Sequence, residues 1–346
     1  MMTTSGGRIR RLAGVWLAGW MGLGMAWGQV PEREQVVELM AGWNAVYLEV
    51  NPADPEPEKV FAGLPVDQVA AHLRPVTSAQ FVVNPGVDLF RKSGWAVWYA
   101  PGREDHFLTT LHAVHGPGAY LIHATEAATW RVRGGVVLGE VRWQPDAFNF
   151  VGFSVRRQGA PTFSQFFGGS VAHRGLRIHR LTEGVWREVA DPSAETLRSG
   201  EAFWVYTEGR SVFQGPLRVE MPTRQGLVLA GRPAGVVLRN ATDHPVTAVV
   251  EHVPGEGGGV ALSMVLRGVG SEWAMVRTVS APKPEGTWSQ VLPPLEAGAY
   301  VRVPMEWRPS GAEDMGGGTT LLRIASDLGT ETWVPVFILR KDVRNP

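Results

Sequence analysis

Two stretches decide how this chain folds. The first is Gly42-Trp43-Asn44-Ala45-Val46-Tyr47-Leu48-Glu49-Val50, and the second is Ala147-Phe148-Asn149-Phe150-Val151-Gly152-Phe153-Ser154-Val155. Each opens on an aromatic residue, then an asparagine, then apolar residues in alternation. A strand has a side-chain period of two, so such a run reads as a strand with at least one buried face. Aromatic residues anchor the core of a small β unit because each buries ~150–250 Å². The asparagines Asn44 and Asn149 are expected to bond neighbouring backbone and fix how the strand begins.

Both stretches are followed by the same sequence of events. A proline-led segment carrying phenylalanine comes next, Pro57 to Phe61 and Pro161 to Phe167. Tryptophan in a strand-like setting follows, Trp95 and Trp98 in the first case and Trp186 in the second. Each closes on an aromatic strand, Gly118-Ala119-Tyr120-Leu121-Ile122 and Gly200-Glu201-Ala202-Phe203-Trp204-Val205-Tyr206. This is the signature of an internal repeat, with copy 1 over residues 36–137 and copy 2 over 140–215. The best helical piece is Pro57 to Leu64, with Pro57 as the first helical residue.

From residue 226 onward the strands change character. Leu227–Ala230, Gly235–Asn240, Val246–Val253, Val260–Leu266, Tyr300–Trp307, Thr319–Ala325 and Thr332–Leu339 are short, turn-bounded and alternating, the spacing of a β-sandwich over residues 226–340. Residues 216–225 read as a junction. Pro335 lies inside the last run, so that strand is expected to be an edge or to carry a bulge. The fold class is therefore mostly β: two degenerate copies of a small β-rich module, then an immunoglobulin-like antiparallel sandwich.

The opening and closing signatures resemble a small β module repeated in bacterial exported and cell-surface proteins, with a G-W-N-[LA]-[IV] start and an L-x-x-G-x-[AG]-[YF]-W-V end. The resemblance covers roughly residues 36–215. Copy 1 has Leu121 where that pattern has tryptophan, and copy 2 has Phe148 where it opens on tryptophan. The C-terminal stretch Leu295 to Tyr300, Trp307-Arg308-Pro309 and Thr320 to Ser326 resembles the last strands of bacterial immunoglobulin-like domains. No catalytic residues come with this family.

Composition narrows the function classes. The 346 residues hold 33 basic and 33 acidic side chains, which gives no electrostatic support for a nucleic-acid or anionic-membrane partner. Arg8, Arg10 and Arg11 precede an uncharged run of 16 residues, Leu12 to Trp27, with small residues at Ala26 and Gly28. That is the pattern of a secretion signal over residues 1–28, shorter than the ~20 apolar residues of a spanning helix. There is no cysteine. Disulfides, thiolate metal sites and a lipid-bearing cysteine are thereby excluded, and an exported bacterial protein is favoured over a eukaryotic one.

Candidate chemistry is sparse. Nucleophile-elbow, zincin, Walker and EF-hand patterns are missing. Gly255-Glu256-Gly257-Gly258-Gly259 reads as a hairpin loop, since no helix follows to bind phosphate. His106, His112, His115 and His123 cluster near Glu104 and Asp105, but no second motif at metal spacing accompanies them, and they read as a polar loop. Trp95, Trp98 and Tyr99 are the best candidate platform for stacking a sugar ring. An odd separation of Trp95 from Trp98 puts them on opposite faces of a regular strand, so the core reading leads there as well. The expectation is a non-enzymatic exported protein, periplasmic, secreted or at the cell surface, acting as adhesive, spacer or assembly module, with no cofactor and no metal. The sequence does not identify a partner, with cell-surface polysaccharide and other surface proteins as the candidates, and the alternative is a carbohydrate-binding protein using exposed tryptophans.

Overall fold

The computed structural model describes residues 30–73, 94–254, 260, 262–267, 276–280, 286–307 and 318–339. The signal segment 1–28 and the Gly255–Gly259 run lie outside these residues. The architecture is mostly β, built from antiparallel sheets.

The first unit contains β1 (Glu32–Leu39), β2 (Gly42–Leu48), β3 (Val50–Pro52), α1 (Pro57–Val60), β4 (Val66–His72), β5 (Trp95–Tyr99), β6 (Gly118–Ala124) and β7 (Ala128–Val136). β2 and β3 are one continuous run that changes sheet at Glu49. β2 joins the four-stranded sheet β2-β6-β4-β5, and β3 joins the three-stranded sheet β1-β7-β3. A core including Leu48, Val50, Phe61, Trp98, Tyr120 and Trp130 is enclosed by the two sheets and α1. Phe61, at the C-terminal end of α1, stacks on Trp98 with ring centroids 5.8 Å apart and lies 5.1 Å from Trp130. Pro57 is the first helical residue, where its missing N–H costs nothing.

The second unit contains β8 (Ala147–Gly152), α2 (Phe163–Phe167), β9 (Ile178–Thr182), β10 (Val185–Glu188) and β11 (Ala202–Thr207), in one sheet ordered β8-β11-β9-β10. Thr162 caps α2: its hydroxyl accepts from the Gln165 N–H, and the Gln165 side chain accepts from the Thr162 N–H. This capping box starts a one-and-a-half-turn helix whose Phe163, Phe166 and Phe167 are all buried. The β9–β10 hairpin turns through Glu183 and Gly184, both at positive φ (50° and 74°), as a two-residue type I′ turn requires.

The two four-stranded sheets have the same strand order. Taken in chain order, the first, fourth, second and third strands lie side by side in each, and the short helix sits in the same connection. The register agrees residue by residue. Trp43 pairs with His123 and Asn44 with Ile122; Phe148 pairs with Tyr206 and Asn149 with Val205. The sheets lie against each other through a shared layer containing Ala70, Val97, Tyr99, Leu121, Trp186 and Trp204. Leu121 and Trp204, at corresponding positions in the closing strands, are both fully buried there.

The third unit is a sandwich of two five-stranded sheets. Its strands are β12 (Leu217–Glu220), β13 (Leu227–Leu229), β14 (Ala234–Asn240), β15 (Ala248–Val253), β16 (Leu262–Arg267), β17 (Val276–Ser280), β18 (Trp288–Val291), β19 (Tyr300–Trp307), β20 (Gly318–Ser326) and β21 (Glu331–Ile338). One sheet is ordered β12-β14-β19-β16-β17 and the other β13-β21-β20-β15-β18. With β12, β14, β15, β16, β19, β20 and β21 as strands A to G, this is the ABED/CFG order of an immunoglobulin-type sandwich. β17 and β18, between D and E, extend one sheet each. The core between the sheets is aliphatic, with Leu229, Leu238, Val250, Met264, Met305, Leu322 and Val336 at its centre and Trp288 to one side.

Two details differ from the sequence reading or sharpen it. Residues 216–225, expected as a junction, contain β12, which pairs antiparallel with β14 and buries Leu217 in the sandwich core. A four-residue strand between Pro216 and Pro222 is too short to show a period. Pro335 sits in β21, which is paired on both sides further along; the parallel partner β13 begins at Leu227↔Val336. At residue 335 the strand is therefore an edge on that side, where a missing N–H is tolerated.

Candidate functional site

The three residues proposed as a sugar platform are not a surface. Trp98 and Tyr99 are each only 4% exposed and Trp95 is half-buried. Trp98 points into the first unit's own core, while Trp95 and Tyr99 point into the layer between the two sheets. Trp95 lies 6.2 Å from Phe150 and 6.3 Å from Trp204 of the second unit. Strand alternation separated Trp95 from Trp98, as the sequence implied; the second sheet covering the outer face was not visible in it. Among the described residues no tryptophan is exposed.

The histidine-rich region is also distributed differently from its sequence clustering. His123 Nδ1 lies 2.5 Å from Asp67 Oδ1, and the other Asp67 oxygen accepts from Arg103 at 2.8 Å. Arg103 also forms a two-pronged pair with Asp105, both contacts 2.8 Å. That pairing holds the Asp105 carboxyl below its ordinary range. His106 Nδ1 contacts the Tyr99 carbonyl at 2.6 Å, and His115 Nδ1 contacts Asn51 Oδ1 at 3.1 Å. The His106, His115 and His123 imidazoles thus each serve a different local contact, and His112 is exposed. Asp67, whose importance sequence spacing did not show, ties β4 to β6 and to the loop after β5.

The polar residues that do converge lie where all three units meet. Arg33 of β1 pairs with Glu49 at the β2–β3 crossing, where Glu49 is 7% exposed. The Gln35 side chain accepts from the Glu49 N–H at 2.7 Å and donates to the Tyr47 carbonyl at 2.9 Å. Ser154, from the second unit, hydrogen-bonds to the Glu49 carboxylate. From the sandwich, Trp333 lies under the Arg33 guanidinium, 5.1 Å from ring centroid to Cζ. Burial pushes the Glu49 carboxyl above its ordinary range, against the opposing pull of Arg33, and the Glu331 charge adds to the rise. A cavity of about 120 Å³ remains among these groups.

Backbone pairing reinforces the same joint. The turn between β20 and β21 reaches the segment after β8: Thr330 bridges Val155, Arg156 N–H donates to the Gly329 carbonyl at 2.9 Å, and Glu331 N–H donates to the Ser154 carbonyl at 3.1 Å. Two glycines allow the approach. A Cβ on Gly329, whose φ is +83°, would sit 1.9 Å from the Gly159 carbonyl oxygen. A Cβ on Gly169 would sit 1.7 Å from the Ala241 carbonyl oxygen. The first two units are joined similarly, with Tyr47 N–H donating to the Gly200 carbonyl at 2.8 Å.

No protein family's sequence profile matches this chain, and no curated protein sequence matches it either. Among the described residues no helix is long and apolar enough to cross a membrane.

Proposed function

We propose that this protein is a non-catalytic, exported bacterial protein that acts at or beyond the cell surface as a spacer or assembly component. The observation that carries the reading is the three-unit joint. Direct backbone pairing and glycine-mediated close approach join the units, and the first unit's Arg33–Glu49 pair meets Trp333 and Ser154 of the other two, instead of a pliant linker. Inter-domain contacts within a chain are by default mobile unless large or well packed. A chain whose units are fixed to one another in this way is suited to holding other components at a set separation. The matching register of the two four-stranded sheets supports the view that they are copies of one module, and module repetition is a common way to build length.

Export rests on Arg8, Arg10, Arg11, the apolar run after them and Ala26/Gly28. The test is to express the full chain with its first 28 residues in a bacterial host and to sequence the N-terminus of the extracytoplasmic product. Gln29 as first residue is expected. A product that stays in the cytosol with Met1 or Met2 in place overturns the reading.

A further inference from the structure

We propose that the outer edge of β12 is a strand-addition site for an extended acidic segment of another polypeptide. β12 is the terminal strand of its sheet, with β14 as its partner. The register sets Leu217 against Asn240 and Val219 against Leu238, and the Ala241 N–H donates to the Pro216 carbonyl at 2.8 Å. Backbone groups alternate sides along a strand, so those of residues 216, 218 and 220 face β14 and those of Leu217 and Val219 face away from it. These two N–H and two C=O groups have no partner among the described residues. A row of this kind is a template for a further strand.

The edge does not open onto bare solvent. It forms one side of a groove of about 670 Å³ whose other side is the segment Leu138–Arg142. Gln214 pins that wall: its Oε1 accepts from the Val141 N–H at 2.7 Å, and its Nε2 donates to the Val141 carbonyl at 2.9 Å. A slot fixed on both sides admits a single extended segment more readily than a second globular body.

Charge selects the segment. Arg142, Arg218 and Arg224 line the groove against Glu140 and Glu220. Glu220 is already shared between Arg218 at 3.6 Å and Arg239 at 3.2 Å. Arg142 and Arg224 are exposed and carry no ion pair among the described residues, so the slot is left with a positive balance that an acidic strand complements. The site deepens the assembly role proposed above. It does not depend on export, so its failure leaves the N-terminal sequencing result standing.

The test uses the full chain and three fluorescein-labelled, end-capped octapeptides. One alternates valine and glutamate, one alternates valine and lysine, and the third is the glutamate peptide N-methylated at every residue, which blocks both of its edges. The glutamate peptide should bind saturably, and more weakly as salt rises. Val219→Pro removes an outward N–H without breaking a bond to β14, together with the packing of the Val219 side chain on the sandwich core, and edge strands accept proline there. That variant, the Arg142→Glu/Arg224→Glu double variant and the N-methylated peptide should each weaken binding by about tenfold or more. The lysine peptide should not bind. The N-methylated peptide gives the answer on the unaltered protein should Val219→Pro fail to fold. The proposal is overturned by no binding of the glutamate peptide below about 1 mM, by equal binding of the lysine peptide, or by binding that N-methylation leaves unchanged.

Discussion

Asn44 and Asn149, in two different sheets, make the same hydrogen bonds. The Asn44 Oδ1 accepts from the Met40 N–H at 2.9 Å, and its Nδ2 donates to the Met40 and Gly42 carbonyls at 2.8 and 3.0 Å. The Asn149 Oδ1 accepts from the Gln144 N–H at 2.7 Å, and its Nδ2 donates to the Gln144 and Ala147 carbonyls at 3.2 and 3.1 Å. In both, one amide closes the turn that leads into the first strand and so sets the register of the sheet. The difference is depth: Asn149 is 7% exposed and also reaches the Thr207 hydroxyl, while Asn44 is half-buried.

That difference predicts unequal costs. Asn149→Ala strands buried polar groups and should cost about 2–3 kcal/mol, whereas Asn44→Ala, whose partners reach water more easily, should cost about 1 kcal/mol. Urea unfolding of the two variants measures this. Equal costs, or a smaller one for Asn149→Ala, would show that the amides do not set the sheets.

The layer between the two four-stranded sheets should be the most sensitive part of the first two units. Trp204 is fully buried and lies 5.0 Å from the Phe150 ring. Trp204→Ala should cost about 3–5 kcal/mol, the range for emptying a large core site. Trp43, the opening aromatic of β2, is half-buried at the margin of the same layer, so Trp43→Ala should cost clearly less. Thermal unfolding ranks the two; the reverse order would mean the layer is not a true core.

Much of this was legible in the sequence, and the failures have physical causes. The aromatic–asparagine openings and aromatic closings marked the first and last strands of both four-stranded sheets, because a buried sheet face forces alternation, but β4 and β9 between them were not read. The sandwich strands β13 to β16 and β19 to β21 showed for the same reason, whereas β12, β17 and β18 did not. The three-stranded sheet β1-β7-β3 was not foreseen: in β1, Glu32, Glu34 and Glu38 on the outer face pair with Arg133, Arg131 and Thr129, and that charge masks the strand. The joint was invisible because Arg33, Glu49, Ser154 and Trp333 come from distant segments, and local patterning carries no trace of their meeting. Trp95, Trp98 and Tyr99 were read as a platform because period two tells which side a residue takes, not what covers that side.

Stability should fall under mild acid, chiefly through His173. Burial lowers its pKa from 6.5 to about 4, and its ring is held between the Ser170 and Thr207 hydroxyls. The folded protein favours the neutral ring, so the unfolded chain takes up the proton first as pH drops below 6.5. The stabilisation present above that pH is lost progressively toward pH 4, by about 2 kcal/mol between pH 7 and pH 5. His252, also lowered by burial, acts in the same direction. Glu49 acts oppositely, because a raised carboxyl pKa favours folding as pH falls. Comparing wild type with His173→Gln by urea unfolding at both pH values isolates the histidine. An unchanged pH dependence in the variant would remove His173 from the account.

The joint itself should fail at its glycines before the sandwich core does. Gly329→Val places a branched side chain where even a Cβ meets the Gly159 carbonyl, at a φ that valine rarely adopts. Hydrogen exchange should rise at residues 154–156 and 329–331 while the β20–β15 core stays protected. Uniform deprotection of the sandwich would mean that the contact belongs to the fold of the sandwich and not to the joint.

Fixed orientation of the three units is the claim on which the spacer role depends, and the cysteine-free chain makes it directly measurable. Spin labels on cysteines introduced at Glu126→Cys in the first unit and Ser289→Cys in the sandwich, both exposed positions, report the distance between units by pulsed electron resonance. A single narrow distance distribution is expected for the otherwise unaltered chain, broadening when Gly329→Val is added. A distribution already broad or split without that substitution would show that the units move independently, and the spacer account would fail.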